Sequence, residues 1–556
     1  MKFKPLYYWR HETGLRQATI IAVIFFISVL TFSIIRYDSF LATYDHGLFN
    51  QVFWNSVHGK LFQSSLSSAA SGASLIDREL SYPSYIHLGQ HFVIDFLLWM
   101  PLYALFPSPV TLIVLQVALI AAAGIVLYFL ARHYLSIPLS IMVVASYYGA
   151  NGVIGPTLGN FYEHCQIPLF LFSLLLALEK QRWLVFWIFA ALALGTREDT
   201  GITLFGIGAY LFFSRRYPRT GIALCVLSFS YVSLITNVVM PLFSNDNSRL
   251  YLALYFKKFV NIENPSTLQL LWAIVSQPQI IIQVFFADLE SLERRIRFML
   301  GLWLPLAFIP IFSRPAWVMS SFPLLVLLLQ VENKAATSTN TRYTLSLVPV
   351  LIYAAILWWS EHPEKFKPRL HRFWMGCIGL SLLFTLTSNP NRALYFLSPY
   401  AFNPLVYQSL TEQLAHGADL KTVMEVIPPD ASVSTSGYIV SHLSGRRNII
   451  RLEVMKLRDE AGNAVDVDYA LLDLWQLQQN NLKVPVDRGR VRAGVRFTDE
   501  ALRNGSYGIA KVLDGVVLVQ KGITSAPEVL SAWVKLRQEI EPFLNNKMQN
   551  KQKTVE

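Results

Sequence analysis

Long apolar runs without a charged side chain set the first limit on what this chain can fold into. The first is Ala18–Ile35. A helix of about 20 such residues crosses the hydrocarbon core of a bilayer, with every backbone amide paired inside the helix. Further runs are Val110–Ala131, Ile137–Gly155, Ile167–Leu178, Trp183–Gly195, Ile202–Phe213, Gly221–Met240, Phe298–Phe312, Trp317–Gln330, Leu345–Trp359 and Phe373–Thr387. Several are short for a span, but short spans borrow polar ends or thin the bilayer locally. This pattern excludes a plain soluble enzyme, a disordered tail protein and a fibrous repeat. The expectation is an α-helical polytopic membrane protein.

Charge is unevenly placed. Only 15% of the 556 residues are charged, against about 25% in soluble chains. Residues 1–390 hold 27 basic and 18 acidic side chains, whereas the 166 residues from Asn391 to Glu556 hold 20 and 18. We therefore expect a multi-pass membrane domain over 1–390 and a soluble domain over 391–556. The net charge of +11 sits largely in short basic clusters between apolar runs. It reads as cytoplasmic loops and not as a nucleic-acid surface. The three cysteines, Cys165, Cys225 and Cys377, are far apart, which argues against a disulfide framework or a cysteine zinc site.

The basic start (Lys2, Lys4, Arg10, Arg16) places the N-terminus in the cytoplasm, and Ala18–Ile35, lacking a small-residue cleavage site, reads as an uncleaved first span. Residues 37–109 then form a long external loop. Its stretch His91–Phe106, with Asp95 and Pro101, either spans or lies flat at the outer interface. The flat choice puts the basic loops Ala131–Ser136, Glu179–Arg182, Ser214–Thr220 and Glu361–Arg372 in the cytoplasm. This gives about 11 spans by the charge rule, with the C-terminal domain outside the plasma membrane. Arg294, Arg295 and Arg297 then lie outside, on an interfacial segment near 266–297.

This topology gathers Asp45, His87, His91, Asp95, Tyr162–His164, Arg197-Glu198-Asp199 and Arg342-Tyr343 on the outer face. Ionisable residues at span ends are costly and are functional candidates by default. Asp45 is either functional or a solvated helix cap. The helix after it carries Leu48, Phe49, Val52 and Phe53, a stripe that would rest on the membrane. His87, His91 and Asp95, spaced i, i+4, i+8, share a helix face if helical. Such a face is more readily a polar interfacial stripe than a divalent metal site, and the metal question stays open. Arg197-Glu198-Asp199 is an internally paired cluster or a phosphate-binding guanidinium. Glu163 and His164 are site residues or caps beside an aromatic belt. Gly201, Gly206 and Gly208 read as helix-packing glycines, since no Walker pattern follows.

Tyr44-Asp45-His46-Gly47-Leu48-Phe49-Asn50-Gln51, with Trp54 and Gly59-Lys60, resembles the opening motif of a multi-pass membrane family, domain of unknown function 2079. His91 with Pro101-Leu102-Tyr103 and Gln116 is similar to its next block. Arg197-Glu198-Asp199 resembles its Lys-Glu-Asp block with Arg for Lys, and Arg342-Tyr343 its His-Tyr block without the His. Asn160–His164 resembles an Asp-Phe-His-Pro-Glu block with acid and His reordered. Ile427–Val433 and Asp514-Gly515-Val516 extend the resemblance into the tail.

The family in turn resembles membrane glycosyltransferases of the C-type fold. That likeness implies a polyprenyl-phosphate-linked sugar as donor, membrane lipid as surroundings, and an acid of the first external loop, Asp45, as the base that activates an acceptor hydroxyl. Arg197 and Arg342 would hold the leaving phosphate, and His91, Glu163, His164, Glu198, Asp199 and Tyr343 would bind or orient substrate. A divalent cofactor, the sugar, the acceptor and the oligomeric state stay open. The alternatives are a transporter or flippase, and a non-catalytic scaffold.

The tail reads α/β. Strands are expected at Ala431–Thr435 and Val467–Leu472, a hairpin at Ile509–Val512 and Val516–Gln520 around Leu513-Asp514-Gly515, and a helix at Pro527–Leu544. Residues Asn545–Glu556 are expected to be disordered.

Overall fold

The computed structural model describes residues 12–159, 161–244, 255–260, 265–330, 333–387, 409–452, 454–475 and 485–545. The expected boundary at Asn391, and the terminal residues after Asn545, lie outside these. The chain divides into two compact units.

The first unit comprises Met1–Ile34, His87–Phe106 and Val110–Leu394 and is helical among the described residues. Five helices are long and apolar enough to cross a membrane: Thr13–Asp38, Pro109–Arg132, Ile137–Gly159, Pro218–Leu242 and Thr344–Glu361. The pair Thr267–Ser276 and Pro278–Phe285, bent by 84°, makes a sixth if counted as one span. Phe96–Leu105, Trp183–Thr196, Thr200–Phe213 and Arg314–Leu329 are shorter apolar helices.

The run Phe298–Phe312 is not one helix. Leu289–Trp303 ends in a 3-10 turn at Leu304–Leu306, Ala307 and Phe308 take left-handed backbone angles (φ 50° and 61°), and a short helix resumes at Ile309. Pro305 lacks an amide hydrogen, which breaks the ladder there. Arg295, expected in an exposed interfacial segment, is buried. Its guanidinium donates to Leu328 O (3.0 Å) and Phe285 O (3.2 Å), the last carbonyls of two other helices. A cation there satisfies carbonyls that no helical amide reaches.

The glycines act in helix packing. A Cβ on Gly206 would lie 2.2 Å from the Met319 carbonyl oxygen, and one on Gly208 would lie 2.8 Å from Cys225 Sγ. A Cβ on Gly201 would lie 2.6 Å from Val232 Cγ2. Small residues let helix backbones approach closely where burial in lipid supplies no drive. Polar staples tie the helix ends. Glu179, its side chain fully buried, accepts from Arg216 Nη1 at 2.7 Å and Nη2 at 2.5 Å, and from the hydroxyls of Tyr134 and Tyr353.

The second unit joins Ile35–Ile86 and Pro107–Pro109 to Tyr395–Glu556. Its strands are β1 (Val433–Thr435), β2 (Ile449–Arg451), β3 (Lys456–Arg458), β4 (Ala464–Asp466), β5 (Tyr469–Asp473), β6 (Tyr507–Leu513) and β7 (Val516–Lys521). A five-stranded sheet has the order β2-β1-β5-β7-β6, with β1 parallel to both neighbours and β7 antiparallel to β5 and β6. The expected hairpin turns at Asp514 (φ 44°) and Gly515 (φ 74°), the pair of positive angles that matches strand twist. The strand β2 and the β3–β4 ribbon were not expected. One sheet face packs on the helices Pro485–Arg503 and Pro527–Asn545 through Leu472, Val495, Val517, Val519, Trp533 and Ile540.

The helix Tyr44–Val57 belongs to this unit, which corrects the expectation that its apolar stripe rests on a membrane. Leu48, Phe49, Val52 and Phe53 are buried in protein. Asn50 Nδ2 donates to Ser444 Oγ (2.9 Å), and Gln51 Nε2 to the carbonyls of Arg446 (2.9 Å) and Arg447 (3.0 Å). Ser65 Oγ donates to Ile449 O in β2 (2.7 Å). The stripe is buried on one side of the helix and Asn50 and Gln51 on the other, so the helix is enclosed by protein and not laid on lipid.

Replacing Gly206 by Leu is expected to destabilise the first unit by about 1–3 kcal/mol, the usual range for overpacking. Thermal unfolding of the purified chain in detergent, followed by a fall in midpoint, checks this.

Candidate functional site

Eight of the nine candidate residues, His91, Glu163, His164, Arg197, Glu198, Asp199, Arg342 and Tyr343, belong to the first unit, and Asp45 belongs to the second. The eight lie in connections between helices. Each connection presents backbone groups that no helix pairs, and the side chains there take up the remainder.

Glu163 opens a 3-10 turn, Glu163–Gln166, and its side chain is fully buried. Arg197 follows the helix Trp183–Thr196 with extended backbone (φ −170°, ψ 152°). Its Nη1 donates to Glu163 Oε1 at 2.8 Å, and its Nε lies 3.5 Å from Glu198 and 3.6 Å from Asp199. One guanidinium therefore stands among three carboxylates. Glu198 reaches a third connection: its Oε1 meets His91 Nδ1 at 2.9 Å, and its Oε2 accepts from the Phe92 amide at 3.0 Å. Thr196 Oγ1 donates to Asp95 at 3.0 Å, and the Asp95 amide to Gly195 O at 3.3 Å.

These bonds overturn the expected helix through His87, His91 and Asp95. His87–Gly89 is a 3-10 turn, and Asp95 caps Phe96–Leu105. Between them the Phe92 and Asp95 amides go to the 195–198 connection and not to carbonyls four residues back. The three side chains share no helix face. Among the described residues, no group of three His, Cys, Asp or Glu side chains could hold a metal ion. The carboxylates of Glu163 and Glu198 are instead matched by Arg197 and His91.

The fourth connection brings Arg342, whose guanidinium lies over the rings of Tyr162 (5.0 Å) and Tyr343 (5.5 Å). Tyr343 also meets the His164 ring edge-on at 6.1 Å. Gln116 fixes the Tyr162 backbone, accepting from its amide at 2.9 Å while donating to Thr157 O at 2.8 Å. Thr196 was missed as a contributor, because nothing in local spacing marks a partner a hundred residues away.

Burial alone would raise Glu163; its neighbours His164, Arg197 and Arg342 outweigh that and hold the carboxyl well below its ordinary range. Burial also opposes ionisation of Glu198, yet His91 and Arg197 bring it down to about 2. Burial lowers His164, against the pull of Glu163, and takes His87 to about 3, so the His87 ring is neutral at physiological pH. Asp95 is pushed up by burial to about 7, with the Thr196 hydroxyl pulling the other way. Among the described residues, Glu163 Oε2 and Thr200 Oγ1 are shut from solvent and have no hydrogen-bond partner. A buried carboxylate oxygen in that state is fit to accept from a ligand hydroxyl.

In the second unit Asp45 stands in the first turn of Tyr44–Val57 and is half-buried. Beside it the Tyr44 hydroxyl donates to Leu66 O at 2.5 Å, and the Arg451 guanidinium lies over the Tyr44 ring at 4.9 Å.

Compared with known families, residues 36–518 match the family model described as Predicted membrane protein (DUF2079). No curated protein matches the chain.

Replacing Arg197 by Leu leaves Glu163 buried without its cation. Removing one partner of a buried pair costs about 3–5 kcal/mol, whereas removing both is far milder. The Arg197→Leu chain is therefore expected to unfold at a markedly lower temperature, and the Arg197→Leu/Glu163→Leu chain to recover much of the loss in the same thermal assay.

Proposed function

The chain belongs to the DUF2079 family of predicted membrane proteins, and on that premise we propose that it is an integral membrane glycosyltransferase of C-type architecture. It moves a sugar from a polyprenyl-phosphate donor to an acceptor hydroxyl on the extracytoplasmic face of the plasma membrane. In this reading the chain crosses the bilayer about 11 times, the shorter apolar helices included, with its N-terminus inside and its C-terminal domain outside.

The observation that carries the proposal is the buried network Glu163–Arg197–Glu198–His91 beside Arg342, drawn from four connections of the membrane unit. Arg197 is already neutralised by acids, so the donor phosphate falls to Arg342, held flat by Tyr162 and Tyr343. A guanidinium stacked on aromatic rings has the planar geometry that suits two phosphate oxygens. The acceptor oxygen attacks the anomeric carbon, the bond from that carbon to the phosphate oxygen breaks, and the configuration inverts. The electron pair leaves on the phosphate, where Arg342 stabilises the charge. The acceptor proton passes to a carboxylate, which the family resemblance assigns to Asp45. Glu163, through Oε2, and His91 orient hydroxyls. No step is routed through a metal.

Support against a transporter comes from placement: the first unit's candidates lie in connections and not within the long helices, whereas a transport path uses ionisable groups near mid-membrane.

Asp45→Asn and Arg342→Ala, at normal expression, are each expected to lower transfer by about 10²–10⁴-fold, the usual worth of a general base or charge stabiliser. Cellular glycan and glycolipid profiles would then lose one sugar while its polyprenyl-phosphate donor accumulates. An unchanged profile in Asp45→Asn would sink its role as base. Sugar uptake by sealed vesicles containing the purified chain, without transfer to any acceptor, would favour transport instead.

A further inference from the structure

A second cluster of titratable side chains lies in the α/β unit. His416, on the helix Leu410–Met424, is 4% exposed. Its Nδ1 lies 2.8 Å from Asp514 Oδ2, at the β6–β7 turn, and its Nε2 lies 3.3 Å from Asp473 Oδ2, at the end of β5. The ring stacks on Trp475 with centroids 4.1 Å apart and planes 15° from parallel. Neutral imidazole carries one N–H and one lone pair, so it matches only one of two carboxylates. Imidazolium carries an N–H at both nitrogens and matches both.

We propose that His416, as imidazolium, is a proton-dependent latch that fastens the helix Leu410–Met424 to the sheet. Both anchors are at element ends, Asp473 where β5 stops and Asp514 in the left-handed turn of the hairpin. Loss of the proton turns one ion pair into a lone pair facing a buried carboxylate, and the helix loses its central polar tie.

Other charged groups surround the latch. The helix itself carries Glu412, Asp419 and Lys421. Lys421 pairs with Asp38 at 3.0 Å, and Lys511 of β6 donates to Thr422 O at 3.2 Å. Phe40, which packs against Gly417, also stacks on His442, but burial lowers that ring to about 3 and leaves it neutral. His416 itself is moved the other way: burial opposes its charge, and the hydrogen bonds and charges of Asp473 and Asp514 overcome it and raise the ring. A group raised in the folded state contributes stability that is complete below its unfolded value, about 6.5, and lost as pH rises through the folded value.

Hydrogen–deuterium exchange of the full chain in detergent, at pH 6 to 9 and corrected for intrinsic exchange, tests the latch. Peptides from Leu410–Met424 are expected to lose protection as pH rises, by up to about tenfold per pH unit between the two values. His416→Phe keeps the stacking on Trp475 and should make protection independent of pH. Asp514→Asn should end the loss at lower pH and make its total smaller, and it decides the matter if His416→Phe fails to accumulate. Protection that does not vary with pH in the natural chain would overturn the proposal, as would an unchanged pH dependence in either variant.

Discussion

The pairing of Glu163 with Arg197 organises the membrane unit's connections. An ion removed from water needs a partner at hydrogen-bond distance, because a lone buried charge costs several kcal/mol. Arg197 Nη1 supplies it at 2.8 Å to a carboxylate with no solvent exposure. With the guanidinium fixed, Glu198 is turned toward the 91–92 segment, where it accepts from both a ring nitrogen and a backbone amide. Thr196 and the Gly195 carbonyl, one and two residues earlier, hold Asp95. Three stretches far apart in sequence are thus fixed by one charge. Arg342 enters differently, on the faces of two tyrosines.

The same rule recurs at other helix ends of this unit. Glu179 gathers Arg216, Tyr134 and Tyr353, and Arg295 closes the carbonyl ends of two helices. The helix flanks between such ends use glycine contacts, as at Gly206 against Met319. The division follows from the solvent. Lipid offers no hydrophobic gain for helix association, so close backbone contact does the work along the helices, and paired charges do it where the chain turns.

Periodic and local signals in the sequence were the readable ones. Most of the charge-free runs lie on helices, Phe298–Phe312 being broken at Pro305, because a backbone without polar neighbours has one way to pair itself in lipid. Asp514-Gly515 announced the hairpin because two positive φ angles are cheap only for such residues. The glycines at 201, 206 and 208 read correctly as packing contacts. Readings that needed a distant partner failed. The His87–Asp95 spacing suggested a helix face, but Glu198 and Gly195 draw the amides away. The three-residue strand β2 exists by pairing with β1 and by Ser65, beyond the reach of any window pattern. Arg197 showed that an arginine with two acids beside it was unusual, but not that a third acid, Glu163, would claim it.

The helix Tyr44–Val57 carries the most consequential of these distant partnerships. Its stripe has the period of a membrane-surface helix, and period alone does not distinguish lipid from protein as the apolar partner. Burial decides it: Leu48, Phe49, Val52 and Phe53 are covered by protein, and on the opposite face the amide groups of Asn50 and Gln51 reach Ser444, Arg446 and Arg447. Segments separated by more than three hundred residues therefore form one folded unit, and Asp45 is positioned by the C-terminal part of the chain. Deleting that part would strip the Asp45 helix of its buried partners as well as removing the domain. A deletion thus removes two things at once, and a scaffold whose tail binds a partner gives the same loss as an enzyme whose base has lost its support. Point changes that spare Asn50, Gln51 and the apolar stripe separate the two, because they leave the unit's packing in place.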